Sequence, residues 1–306
     1  MDSLNNRATS SARLLMDPET FGEDLSHASQ RALDLAPIHC GACATYHMFY
    51  PIKRHLSTIA GIPDRKQLVA TIGGLLADCA RRDRGPIDVV VGGAADSGVL
   101  AVCAHAAHVF LGIESSRVRF SVLDRCPTPL ALCDDYALRN DIVVDVHAVD
   151  LVSTTRTFPA DVVIHHSLLS FVERSKHEST LQKFARWLKP QGRIVFSTEV
   201  RSPNARDKYR ARRSQRAVQI KAGVETGAFV VNEPLEVFYA RLASVEAQMS
   251  PHIFDFESAD QVRDLFVRTG LTVLSNDRIV DSSHLADGRG LDRERVIAVL
   301  AAPTGR

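Results

Sequence analysis

The chain is predicted to be an α/β protein: a doubly wound, mostly parallel sheet of seven strands with an antiparallel C-terminal strand. Three observations predict this. Short apolar runs rich in β-branched residues recur from Ile87 onward, as "IDVVV", "RVRFSVLD", "DIVVDVHAVD", "ADVVIHH" and "GRIVFSTE". Helical patterns separate them, as right-handed crossovers between parallel strands require. The last two apolar stretches, "LTVLSNDRIVD" and "RERVIAVLAAP", are joined by the polar turn "SSHLADGRG" and read as an antiparallel pair at the sheet edge.

The elements follow in order. Residues 21–56 carry a helical pattern broken near "LAPIHCGAC". Within "ATYHMFYPIKRHL", Tyr46, Phe49 and Ile52 fall near one helical face, and Pro51 is expected to kink or restart the helix. Pro63 and Asp64 start the next helix, whose Leu68, Ile72, Leu75 and Leu76 recur at three- and four-residue steps. Gly85-Pro86 stops it. The period then changes to continuously apolar strands, the mark of burial on both faces. Crossover helices are expected over Gly98–Leu111, Pro127–Arg139 and His177–Leu188, and Gly270 caps a last helix in "ADQVRDLFVRTG". The alternation lapses between the fifth and sixth strands. We therefore divide the chain into an N-terminal helical lid, 1–65, and a core, 66–306, with a helical cap inserted at about 201–255.

Composition excludes several classes. With 45% hydrophobic residues, 24% charged and a net charge of +1, no whole-molecule field favours nucleic acid or a membrane surface. The apolar runs fall short of the roughly 20 residues that span a bilayer. The leader "MDSLNNRATSSAR" has no apolar core of a secretory signal, so a cytoplasmic location with reduced thiols is expected. The run Arg206, Lys208, Arg210, Arg212, Arg213, Arg216 and Lys221 reads as a solvated helix face. Only Tyr209 is interleaved there as a stacking aromatic, so nucleic acid is not an expected partner. His39, Cys40, Cys43 and His47 have metal-like spacing, but no second Cys-x-x-Cys exists to complete a four-ligand site, and no metal is expected.

Chemistry concentrates after the first strand. In "VVVGGAADSG", Gly92, Gly93, Ala94 and Ala95 keep side chains small where a strand turns into a helix, which lets a ligand approach backbone N–H groups. Asp124 ends the second strand, where an acid can accept hydrogen bonds from ribose hydroxyls. Asp150 ends the third, where it could accept from an adenine amino group; a plain turn aspartate is the competing reading.

This order of features resembles the class I S-adenosylmethionine-dependent methyltransferases, which have a Rossmann-like core. More narrowly, it resembles a bacterial branch with a "GAAD" loop and an "LDxCxTPL" second strand; "WLKPQGRIVFS" is similar to the family's turn before strand five, with Gln191 in place of a glycine. The resemblance implies S-adenosyl-L-methionine as cofactor, S-adenosyl-L-homocysteine as product and a small-molecule O or N acceptor. It implies that Gly93 and Ala95 lie against the methionine part, Asp124 holds the ribose and Asp150 faces adenine. Gly92, Ala94, Arg125, Leu151 and His165 are further cofactor-binding positions. The family's acid two residues before the first glycine is Val91 here, and Asp96 is expected to compensate. Loss of a proton from the acceptor invites a base; His165 and His166, directly after strand four, and Tyr46 and His47, above the site, are the candidates. Two alternatives stay open: a nicotinamide-dependent oxidoreductase on a related sheet, and a non-catalytic partner that keeps the fold for binding or dimerisation. Homodimerisation is open as well.

Overall fold

The sheet owes its position to strands that are apolar on both faces. In the computed structural model, which describes residues 15, 17–41, 43–56, 64–201, 217–249, 253–284 and 290–303, β1 (Ile87–Gly92), β4 (Ala160–His166) and β5 (Leu188–Val200) lie near its centre. Outside them on one side are β2 (Val118–Asp124) and β3 (Val144–Ala148), and on the other β7 (Gly290–Ala301) and β6 (Thr272–His284). The order is β3-β2-β1-β4-β5-β7-β6. β1, β2, β3, β4 and β5 pair in parallel; β7 runs antiparallel to both β5 and β6. The C-terminal pair is therefore antiparallel as expected, but the later strand inserts beside β5 and leaves the earlier one at the edge.

Alternation along the strands divides the core in two. Val89, Val91, Val122, Val162, Ile164, Val195 and Ile297 pack against α3 (Arg65–Arg82) and α4 (Gly98–Leu111). Val90, Leu123, Val163, Ile194, Phe196 and Ala298 pack with residues of α6 (Arg174–Trp187) and α9 (Ala259–Thr269). The span Gly98–Arg117 is long and apolar enough by composition to cross a membrane, yet half of it is buried in the fold, Gly98 through Ala107 above all. The first crossover ends at β2, and α5 (Pro127–Asn140) begins with proline at its first position, where no N–H is needed.

A third, smaller core joins what the sequence separates. α1 (Leu25–His39) and α2 (Ala44–His55) place Leu33, Ala36, Met48, Phe49 and Ile52 against Ile220 and Phe229, from and just after a helix at 217–225 (α7), and Phe238 and Leu242 of α8 (Leu235–Met249). Phe49 and Phe238 meet edge to face at 5.5 Å. α2 runs through Pro51 without the expected restart, losing only one internal hydrogen bond, while burial of residues on both sides of the proline holds the helix together. The expected turn before the fifth strand is absorbed into the start of β5, where Gln191, the position the resemblance assigns to glycine, is left-handed (φ 64°). The basic run from Arg206 to Arg216, with Tyr209, lies outside the described residues.

Candidate functional site

The carboxyl ends of β1, β2 and β3 form one continuous rim. Register sets Gly92 opposite Leu123 and Asp124 opposite Ala148, so the loops that follow are neighbours. Hydrogen bonds tie them together: the Gly93 N–H donates to the Leu123 carbonyl at 2.8 Å and the Val149 N–H to the Asp124 carbonyl at 2.8 Å. The Asp124 carboxylate is aimed back across the loop, accepting from the Ala94 N–H (2.9 Å) and the Cys126 N–H (2.7 Å). Burial pushes this carboxyl upward, against those two N–H groups and nearby His47 and Arg125, which favour its charged form. Gly93 sits at φ 80°, a backbone conformation that favours glycine, and a Cβ there would press on the tip of the Leu168 side chain at 2.7 Å. Arg125 is exposed between Asp124 and the β3 end, Leu151 is buried, and Ala94 and Ala95 line the loop.

The remaining predicted residues divide. Asp150 follows β3 at the rim but is exposed and caps its own turn, accepting from the Val152 N–H and the Ser153 hydroxyl, both at 2.9 Å. Those bonds hold its carboxyl below the ordinary value even though burial acts the other way. Asp96 does not face outward. It is buried against Arg54 of α2 (2.7 Å) and accepts from the Gly98 N–H, while Arg54 also binds Glu23. A buried carboxylate needs a countercharge, and α2 supplies it. His165 is not brought to the rim either: it is fully buried between Phe184 and Phe196, and among the described residues neither ring nitrogen has a hydrogen-bond partner. Alternation along β4 explains why, since neighbouring residues point to opposite faces.

α2 lies across the rim. Tyr46 stacks obliquely on Tyr50 (5.4 Å) and on Phe171 (5.2 Å), which belongs to the turn after β4; burial holds its phenol well above the usual value, and that of Tyr50 at about 12. His47, one residue on, sets Nδ1 3.4 Å from the Ala95 carbonyl.

His166 occupies the opposite face of β4 from His165, within a polar cluster that the sequence did not announce. Its Nε2 lies 3.0 Å from Asp64 Oδ1 and 2.8 Å from an Arg295 amino group, so one hydrogen bond excludes the other. Asp64, at the start of α3, also binds Arg295 Nε (3.0 Å) and accepts from the Ser197 hydroxyl at 2.6 Å. Burial alone would raise its carboxyl; Arg295 first, then His166, outweigh it and hold the group far below the carboxylate range. Asp64 read as a helix start and Arg295 as part of a strand; only the fold makes them partners. At the opposite, amino-terminal edge of the sheet a cleft of about 290 Å³ is lined by Arg82, Asp161 and Lys189, with Lys189 already paired to Asp88 and Asp161.

No family model matches the chain, and no curated protein is similar to it in sequence. Similar solved structures include an O-methyltransferase family protein from Burkholderia thailandensis, 11% identical with a TM-score of 0.48, covering 86% of this chain and 60% of that one. The N-methyltransferase NodS from Bradyrhizobium japonicum WM9, in complex with S-adenosyl-L-homocysteine, is 13% identical with a TM-score of 0.45, covering 85% of this chain and 98% of that one. The YcgJ protein from Bacillus subtilis is 11% identical with a TM-score of 0.46, covering 77% of this chain and all of that one.

Proposed function

We propose that the chain is an S-adenosylmethionine-dependent methyltransferase acting on an O or N atom of a small-molecule acceptor. The observation that carries this reading is the rim. A small-residue loop, Asp124 and Asp150 follow three adjacent parallel strands at one sheet edge, and Asp124 is held in place by the loop's own N–H. The outer two loops stand two strand spacings apart, about 10 Å, which suits an elongated ligand such as a nucleoside lying across the strand ends.

The residues present fit that group. Each Asp124 oxygen accepts one backbone N–H among the described contacts, and a carboxylate has about four acceptor sites, so capacity remains for two ribose hydroxyls. Asp96 serves the loop through Arg54 and Gly98 and is not assigned to the ligand. The sheet also bears on the nicotinamide alternative. Dinucleotide sheets run parallel through a sixth strand, in the order 3-2-1-4-5-6; here the strand beside β5 is antiparallel, so the second mononucleotide-binding half is incomplete.

When bound, the cofactor supplies a methyl group made electrophilic by its sulfonium, and the protein's task is alignment. α2, with α7 and α8 packed behind it, lies over the loops after β1 and β4 and would keep water from the transfer site. Tyr46 and Tyr50 stay neutral and shape the enclosure. His166 takes the acceptor's proton, oriented by Asp64 at 3.0 Å; of the candidate bases it has an acid to orient it. The six free thiols suit a reducing, cytoplasmic setting.

Calorimetric titration tests the reading. S-adenosyl-L-homocysteine should bind and NAD(P) should not, and Asp124→Ala should weaken binding by about 1.5–3 kcal/mol, the worth of a charge-assisted hydrogen bond. Asp124→Asn, which keeps one acceptor oxygen for the loop, should lose less. Binding of NAD(P) with no response to the homocysteine product, or unchanged affinity in Asp124→Ala, overturns the assignment.

A further inference from the structure

We infer that Cys40, Cys43, His47 and Cys126 form a zinc site that fastens the N-terminal helices to the loop after β2. Such a site would stand whether or not the chain transfers methyl groups. The linear sequence offers only one Cys-x-x-Cys pair, but the fold brings Cys126 to it from the far side of the sheet's first crossover. One ligand atom from each of the four residues lies within 4.8 Å of all the others. A tetrahedral zinc with Zn–S of about 2.3 Å and Zn–N of about 2.0–2.1 Å needs ligand-to-ligand edges of about 3.6–3.8 Å, which this cluster brackets. Cys43 and Cys126 sulfurs stand 2.8 Å apart and must separate by about 1 Å to meet those edges, a change within reach of side-chain torsions.

The surroundings suit a metal better than a chance gathering of thiols. Cys43 precedes α2 as its cap and His47 follows four residues later, so both present to one side of the first turn. Cys126 is the cap of α5. Two of the three sulfurs therefore sit at helix amino-termini, where the positive end of the dipole favours thiolates. His47 Nδ1 is turned to the Ala95 carbonyl at 3.4 Å, which leaves Nε2 as the ligating nitrogen; a backbone carbonyl on the other ring nitrogen is the usual outer partner of a metal-bound histidine. The Thr128 hydroxyl lies 3.1 Å from the Cys40 sulfur and can donate to it. Three sulfurs and one imidazole select zinc over magnesium or calcium, and four protein ligands leave no open position, so the role is structural. A disulfide would pair two of the thiols and leave the third, with His47, unexplained.

The placement gives the site a consequence. Cys126 donates its N–H to Asp124, and His47 faces Ala95 of the small-residue loop. The ion would thus hold α2 closed over the rim and fix the loop that aims Asp124.

The test uses the full chain, expressed in zinc-supplemented medium and purified without chelator. Plasma mass spectrometry should find about one zinc per chain. Cys126→Ser and Cys43→Ser should each lower this at least tenfold, while Cys79→Ala, in the core on α3, should keep it. Cobalt substituted for zinc should show intense tetrahedral ligand-field bands and thiolate charge transfer, both lost in Cys126→Ser. If either variant fails to fold by circular dichroism, zinc content and the cobalt spectrum of the unaltered chain decide. Wild-type protein without zinc, zinc retained in a folded Cys126→Ser, or a Cys43–Cys126 disulfide in freshly purified protein overturns the inference.

Discussion

Replacing His165 with leucine should make the protein more stable and less sensitive to acid. The ring is 0% exposed, packs edge to face on Phe196 at 4.6 Å, and has no hydrogen-bond partner on either nitrogen among the described residues. Burial, reinforced by His166 and His177, pushes its pKa down to about 3. The unfolded chain titrates near 6.5. At pH 7 the ring is neutral in both states and linkage contributes nothing. As pH falls below about 6.5 the unfolded chain binds a proton that the native state refuses until about pH 3, so stability is lost on acidification. Each pH step of one within that window costs about 1.36 kcal/mol, so the loss is about 2 kcal/mol by pH 5 and approaches about 5 kcal/mol near pH 3. Leucine abolishes that loss and relieves the desolvation of two unpaired nitrogens, about 1–3 kcal/mol at pH 7. Urea unfolding of both proteins at pH 7 and pH 5 measures the difference; His105 and His177, also shifted down by burial, are common to both and cancel. Equal losses between the two pH values, or a variant less stable at pH 7, would falsify the account of a neutral core histidine.

Arg54→Met leaves Asp96 and Glu23 buried without their shared countercharge and should cost about 3–5 kcal/mol, read as a large drop in the urea midpoint with the slope unchanged. Arg54→Lys should recover part of that loss, since a point charge replaces a fork that reaches two carboxylates. Gln191→Gly relieves a left-handed backbone and, among the described residues, gives up an exposed hydrogen bond from Arg82 (2.8 Å), so stability should rise by about 0.5–1 kcal/mol in thermal unfolding; a fall would mean the Arg82 contact outweighs the backbone strain.

Much of the fold was legible in the sequence because strand and helix patterns are local. The β-branched runs of β1, β2, β4 and β5 mark themselves, and helix boundaries show at Pro127, whose fixed φ suits a first helical position, and at Gly270, which alone takes a left-handed cap without strain. The alignment of Gly93 with Asp124 follows almost automatically, because parallel strands in register put their carboxyl ends on one edge. Period alone also separates His165 from His166. It does not say which faces the aromatic core, since that depends on whether α6 or α3 covers the face.

Sequence by itself determined the layered α/β architecture, the loop that can approach a ligand and the acids that end the strands. Tertiary structure decided what those residues touch. Asp96 is claimed by Arg54, His166 by Asp64 and Arg295, and Cys126 joins Cys40, Cys43 and His47. Each of these pairings joins side chains far apart in the chain, and their energy comes from charge, polarity or coordination in a shared buried volume. Periodicity records which side of an element is apolar; it carries no record of which distant group will neutralise a buried charge, and that is settled only when the elements pack.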